Sequence, residues 1–177
     1  MFDKESNVTT QLALQSAFPG LCPVTDAVEK LAMEGGIEER GAIYTKREVV
    51  DFILDLAGYT EDAALADFRL LEPSFGDGDF LIPAIDRLLV AAKRDGALTF
   101  ESLAPTVRAV ELHLDTYNGT RALVAERLRA NGLDRKDAAR LCDSWLYQGD
   151  FLLADFDIEF THVVGNPPYV RQEAIPD

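Results

Sequence analysis

Asp67-Phe68-Arg69-Leu70-Leu71-Glu72 runs straight into Pro73-Ser74-Phe75-Gly76-Asp77-Gly78-Asp79-Phe80, and the fold is decided there. The first part reads as a short buried strand and the second as a glycine-rich turn. Beyond the turn, Leu81, Ile85, Leu88 and Ala92 recur at helical spacing until Asp95-Gly96 stops the helix. Strand, glycine turn and helix make the opening unit of a nucleotide-binding α/β fold. Glycines there let the backbone pass close to a ligand. The charges narrow the ligand. Glu72, Asp77 and Asp79 flank the glycines, and no Lys or Arg lies between Glu72 and Phe80. Such a turn repels a pyrophosphate, and without Gly-Lys-Ser/Thr it is not a P-loop. A cationic ligand suits it, and S-adenosylmethionine carries both a sulfonium and an ammonium.

The same unit recurs downstream. Thr106 to Glu111 reads as a second strand ending in a carboxylate, the group that accepts hydrogen bonds from ribose hydroxyls in nucleoside-binding α/β folds. Glu111 lies farther from the glycine turn than is usual, and an inserted loop over Ala97 to Pro105 would account for the distance. A helix follows from about Thr116 to Ala130, ending at Asn131-Gly132. Another spans Asp134 to Asp143, and its periodic residues Ala138, Leu141, Cys142 and Trp145 read as core. Trp145-Leu146-Tyr147-Gln148 would be a third strand, leading to Gly149-Asp150-Phe151-Leu152. There the Asp150 carboxylate could accept from an adenine amino group while the Phe151 ring lies against its face. Phe160 to Val164 would be a fourth strand. Units alternating in this way imply a parallel sheet with right-handed crossovers, and every candidate site residue from Glu72 onward falls at or just beyond a strand's C-terminal end.

The fourth strand delivers Gly165-Asn166-Pro167-Pro168-Tyr169. Each proline fixes its own φ and pushes the residue before it out of the helical region, so the backbone is extended and stiff. The Asn166 amide oxygen accepts hydrogen bonds and the Tyr169 ring offers a stacking face. Together these suit a planar substrate bearing an NH2 group, its two hydrogens going to the Asn166 oxygen and the Pro167 carbonyl.

Upstream, residues 1–40 read as a helical lead-in. Val8 to Phe18 is expected to form one short helix, with Thr25 or Asp26 as the expected cap of another through Met33. Forty residues are too few for a nuclease module with its own acidic set. Thr45 and Glu48 make a capping box for a helix whose broad apolar face comprises Val49, Val50, Ile53, Leu54, Leu56 and Ala57, ending at Gly58.

The chain has 177 residues, 47% of them hydrophobic and 27% charged, which is the balance of an ordinary folded domain with a real core. No run suits a membrane span, and residues Met1 to Thr10 lack a signal-peptide pattern, so a cytoplasmic protein is expected. Cys22 and Cys142 are widely separated and in no metal spacing, which favours free thiols and no bound metal. A net charge of −14 argues against this chain gripping a phosphate backbone over a wide surface.

Over residues 41–173 the chain resembles the N-terminal catalytic half of gamma-class N6-adenine DNA methyltransferases, including the methylases of restriction-modification systems. Tyr44-Thr45-Lys46 matches the family's Tyr-Thr-Pro-like element, with Lys46 in place of its proline. Glu72-Pro73-Ser74-Phe75-Gly76-Asp77-Gly78-Asp79-Phe80 matches Glu-Pro-x-x-Gly-x-Gly-x-Phe, and Asn166-Pro167-Pro168-Tyr169 matches the catalytic tetrapeptide in the gamma order. The resemblance implies a Rossmann-like class I methyltransferase fold and S-adenosyl-L-methionine as cofactor. It makes Tyr44, Thr45, Glu72, Pro73, Gly76 and Gly78 cofactor-binding, with Tyr44 and Thr45 at the methionine end, and gives the ribose to Glu111 and the adenine to Asp150 and Phe151. The flipped target adenine falls to Asn166, Pro167, Pro168 and Tyr169. That family's sheet has further strands and a DNA-reading region beyond the tetrapeptide, so residues 41–177 are expected to hold a methyltransferase core cut after its fourth strand, its parallel sheet incomplete. Double-stranded DNA would then be held through a target-recognition region elsewhere, with a C-terminal polypeptide as a possible complement. Other acceptors of the same chemistry are a protein glutamine and an RNA base, and a non-catalytic cofactor-binding remnant is a further alternative.

Overall fold

The computed structural model describes residues 46–167. The lead-in helices expected in residues 1–40, and the candidate site residues Tyr44, Thr45, Pro168 and Tyr169, lie outside the described residues.

Strands β1 (Leu70–Glu72), β2 (Val107–Glu111), β3 (Leu146–Gln148) and β4 (His162–Val163) form one sheet in the order β3-β2-β1-β4. Every pairing is parallel, with Leu70 opposite both Val107 and His162 and with Ala109 opposite Leu146. All residues of β1 are buried, as expected of a central strand covered on both faces. The α/β class and the parallel sheet are as the alternating units imply. The order adds what alternation cannot supply. The chain steps outward from β1 to β2 to β3, then returns to lay β4 on the other side of β1. The C-terminal ends of β1 and β4 therefore flank a topological switch point, where open α/β sheets bind ligands.

Among the described residues, helices α1 (Arg47–Leu56), α2 (Leu81–Arg94), α3 (Phe100–Leu103), α4 (Leu114–Ala130) and α5 (Arg135–Trp145) accompany the sheet. α2 is the central one, burying Leu81, Ala84, Ile85, Leu88, Leu89, Ala91 and Ala92. Pro83 falls in its first turn, where the missing N–H is not needed. α2 packs on α4, α4 on α5, and α5 on α3. Arg87 ties α2 to α1: its guanidinium donates to Asp55 Oδ1 (2.6 Å), Tyr59 O (3.0 Å), Asp51 O (3.1 Å) and Asp51 Oδ1 (3.1 Å). α5 is capped by the Asp134 carboxylate, which accepts from Asp137 N at 2.7 Å. Trp145, fully buried at its last position, donates from Nε1 to Leu103 O at 2.9 Å.

Three local readings change. Ala97 to Pro105 is not simply an inserted loop: Phe100–Leu103 forms one helical turn, with Thr99 Oγ1 accepting from Ser102 N at 3.2 Å. Fully buried Leu103 and the Trp145 bond make it part of the core. α1 begins at Arg47 with Lys46 at its N-cap and no side-chain cap bond, so Glu48 stands one position short of capping-box register. Its apolar residues also divide, since Val50 and Leu54 are buried whereas Val49 and Leu56 are exposed. Among the described residues no helix is long and apolar enough to cross a membrane.

Candidate functional site

The glycine turn is fastened to its surroundings by its backbone. Phe75 N donates to Val110 O (2.9 Å), Gly78 N to Phe75 O (2.8 Å) and Gly76 N to Glu111 Oε2 (2.9 Å). From α4, the buried Thr120 hydroxyl donates to Gly76 O at 2.8 Å. Both glycines need positive φ, +51° at Gly76 and +89° at Gly78. They differ in surroundings. A Cβ on Gly78 would lie 2.9 Å from Ile82 Cγ1 and 3.1 Å from Thr120 Cγ2, whereas one on Gly76 would meet nothing within 4 Å. Gly78 is thus required by packing, and Gly76 borders open space.

Glu72 closes β1 and is only 2% exposed. Among the described residues its Oε2 has no hydrogen-bond partner. Burial first, and then the like charges of Asp79 and Glu111, hold its carboxyl well above the ordinary carboxylate range. An orphaned carboxyl oxygen under an acidic turn is what a cationic ligand would satisfy.

Glu111, at the end of β2, is buried but differently served. Its Oε1 accepts from His113 N at 2.7 Å and its Oε2 from Gly76 N at 2.9 Å. It therefore both shapes the turn and, with a second lone pair on each oxygen, keeps capacity to accept from a ligand hydroxyl. Beyond β3, Gly149 N donates to Glu111 O at 2.9 Å, placing Asp150 and Phe151 beside the end of β2. Asp150 accepts from Leu152 N at 2.9 Å and caps the single 3₁₀ turn Phe151–Leu153, and both Asp150 and Phe151 are half-buried.

β4 brings the second half of the site to the first. Val164 N donates to Leu71 O at 3.0 Å. A Cβ on the next residue, Gly165, would lie 3.6 Å from Pro73 Cδ and 3.7 Å from both Glu72 Cγ and Glu72 Oε1. Asn166, half-buried, and Pro167, exposed, thus leave β4 next to the Glu72 carboxyl and the start of the glycine turn. The structure gathers Glu72, Pro73, Gly76, Gly78, Glu111, Asp150, Phe151, Asn166 and Pro167 at the C-terminal edge of one sheet.

Sequence reasoning passed over two residues here. Thr120 reads as one more polar residue on α4, yet it latches the turn through Gly76 O. His113, the N-cap of α4, has a buried Nδ1 without a hydrogen-bond partner just past Glu111. Neither belongs to a recognisable motif; the one signal was a Thr set among helical residues that packing would bury.

No family model matches the chain. Three curated relatives match it closely. It is 58% identical to the Type II methyltransferase M.PaeR7I of Pseudomonas aeruginosa, over 88% of this chain and 28% of that protein. It is 49% identical to the Type II methyltransferase M.XhoI of Xanthomonas vasicola, over 78% of this chain and 26% of the relative. It is 45% identical to the Type II methyltransferase M.BstVI of Geobacillus stearothermophilus, over 77% of this chain and 26% of the relative. The chain thus spans about a quarter of the length of these relatives, and over most of its own length it is similar to Type II methyltransferases.

Proposed function

We propose that this chain forms the cofactor-binding and catalytic part of a gamma-class DNA methyltransferase of a restriction-modification system, one that methylates N6 of adenine. The observation that carries the proposal is the junction at Gly165. It sets the Asn166-Pro167 strand end against Glu72, the orphaned carboxyl under an acidic glycine turn. A site for a cation and a site for a planar amine then share one crevice.

In this reading Glu72 and the backbone around Gly76 hold the charged end of S-adenosylmethionine, Glu111 its ribose, and Asp150 with Phe151 its adenine. The cofactor, when bound, supplies an electrophilic methyl on its sulfonium. Asn166 Oδ1 and the Pro167 carbonyl accept the two hydrogens of the target amino group. That pulls the nitrogen out of conjugation and stabilises the positive charge that develops on it, so no strong base is needed before transfer. In-line positioning of the nitrogen supplies much of the rest. Tyr169 would stack on an adenine flipped out of the duplex. With a net charge of −14, this chain leaves the grip on duplex DNA to surfaces outside it.

Transfer from tritiated S-adenosylmethionine to DNA, RNA and a release-factor protein by the full-length enzyme that contains this chain, followed by nucleoside analysis, tests the proposal; this chain by itself is expected to be inactive. Label in N6-methyladenine of DNA is the expected result. Label confined to protein or RNA would move the acceptor to a glutamine or an RNA base, and cofactor binding without transfer to any acceptor would mark a cofactor-binding remnant.

A further inference from the structure

We propose that Glu72 is the charge-selecting residue of the crevice: it holds a proton in the unliganded protein and gives that proton to solvent as a cationic ligand binds. This rests on the cofactor-site reading above and adds to it a proton linkage and a basis for ligand choice.

The argument starts from the difference between two neighbouring carboxyls. Glu111 receives two backbone N–H donors, one on each oxygen, at 2.7 and 2.9 Å. Glu72 is at least as deeply buried, at 2% exposure, and its Oε2 receives none. Of the two, Glu72 is the carboxyl with an oxygen left without a donor among the described residues, and burial beside like charges disfavours its charged form. The charged groups acting on Glu72 are Asp79 from the glycine turn and Glu111 from β2, and both are acidic. From the β4 side it is packed by the Gly165 backbone, with Asn166 following. The cationic neighbour on its own strand segment, Arg69, turns its guanidinium back to Phe68 O (2.8 Å) and Ala66 O (3.4 Å). Past β2, His113 sits at the N-cap of α4, its Nδ1 without a partner.

A cation bound against the Glu72 carboxyl supplies the countercharge that the protein withholds. The neutral carboxyl then becomes a carboxylate paired with the ligand, its O–H bond breaks, and the proton leaves to buffer. A neutral ligand gives no such return, and Glu72 keeps its proton.

Calorimetry of this chain in buffers of different ionisation enthalpy measures the effect. At a pH inside the raised ionisation range of Glu72, S-adenosylmethionine should release a fraction of one proton per ligand bound, and neutral adenosine should release none. Below the raised ionisation range of Glu72, affinity for S-adenosylmethionine should fall up to tenfold per pH unit. Glu72→Gln, which keeps shape and burial, should abolish both the release and the pH dependence. S-adenosylmethionine binding without proton release, or equal release from Glu72→Gln, overturns the inference and leaves the cofactor site standing. No binding of S-adenosylmethionine at all overturns both. The unliganded protein offers a second measurement. A carboxyl raised in the folded state contributes stability that is fully present below its ordinary value of 4.5 and is lost as pH rises through the raised one. Glu72→Gln should therefore melt progressively higher than wild type as pH climbs above that ordinary value, and a constant difference in melting temperature across that range would refute the buried proton.

Discussion

Adding one methyl group at Gly78 and one at Gly76 should have opposite consequences, because the two glycines are required for different reasons. At Gly78 the φ of +89° is costly for any L side chain, by about 1–3 kcal/mol. The new Cβ would also press on Ile82 Cγ1 at 2.9 Å and Thr120 Cγ2 at 3.1 Å. Thr120 has little room to yield, since it is buried and its hydroxyl is bonded to Gly76 O at 2.8 Å. Overpacking of this kind adds about 1–3 kcal/mol, so Gly78→Ala should lose roughly 2–6 kcal/mol in all. That is a large share of the ~5–15 kcal/mol that holds a typical domain together. At Gly76 the φ of +51° lies in the ordinary left-handed basin, and the Cβ would meet nothing within 4 Å. The strain there is about 1–2 kcal/mol. What the methyl takes is the open space that the ligand needs. Urea unfolding should therefore show Gly78→Ala as the more damaged fold, and calorimetry should show Gly76→Ala losing at least about tenfold in S-adenosylmethionine affinity, ~1.4 kcal/mol, while staying folded. Equal destabilisation by the two substitutions, or unchanged cofactor affinity in Gly76→Ala, would refute this assignment of the turn.

Arg87→Met keeps the apolar stem but removes the donors to Asp55, Tyr59 O and Asp51, and should cost roughly 1.5–3 kcal/mol in urea unfolding; a loss below about 0.5 kcal/mol would mean the clamp between α1 and α2 is ornamental. Burial holds the Cys142 thiol up at about 11, so at pH 8 iodoacetamide should leave it unmodified by mass spectrometry until the protein is unfolded, and rapid native-state labelling would contradict its place in the core. Asp150→Ala should weaken S-adenosylmethionine binding. Asn166→Ala should leave that binding nearly intact and abolish transfer in the full-length enzyme, and loss of cofactor affinity in the Asn166 variant would show the two halves of the site to be wrongly divided.

Much of the fold was legible because its signals are local. Leu70-Leu71-Glu72 is a short apolar run before glycines, and α2 has a long, strict helical period. The boundaries were less so. The strand read from Asp67 shrinks to Leu70–Glu72, because Leu65–Asp67 closes a 3₁₀ turn and only the later residues reach ladder register. α3 escaped because one helical turn has no period to detect, and the burial of Leu103 and the Trp145 bond to its carbonyl are tertiary contacts that no local pattern announces. The apolar face of α1 was read too broadly because periodicity gives the width of a stripe but not which side of it finds a neighbour. Val50 and Leu54 do, Val49 and Leu56 do not. Thr120 was invisible for a related reason: its role depends on α4 lying across the turn, and no residue near it in sequence says so.

The site shows the same limit with a larger consequence. The glycine turn and Asn166-Pro167 can each be read as chemical parts from their residue types, but whether they serve one reaction depends on strand order. Had β4 been added outside β3, Asn166 would emerge two strand positions beyond β2, away from Glu72. The return of the chain to the free side of β1 is what joins them. A Cβ at Gly165 would make only ordinary van der Waals contact with Pro73 Cδ and the Glu72 carboxyl, and the position is exposed, so crowding at the glycine does not set the approach. What brings the Asn166-Pro167 strand end beside Glu72 is the parallel pairing of β4 with β1, carried to its last step by the Val164 N–H on Leu71 O.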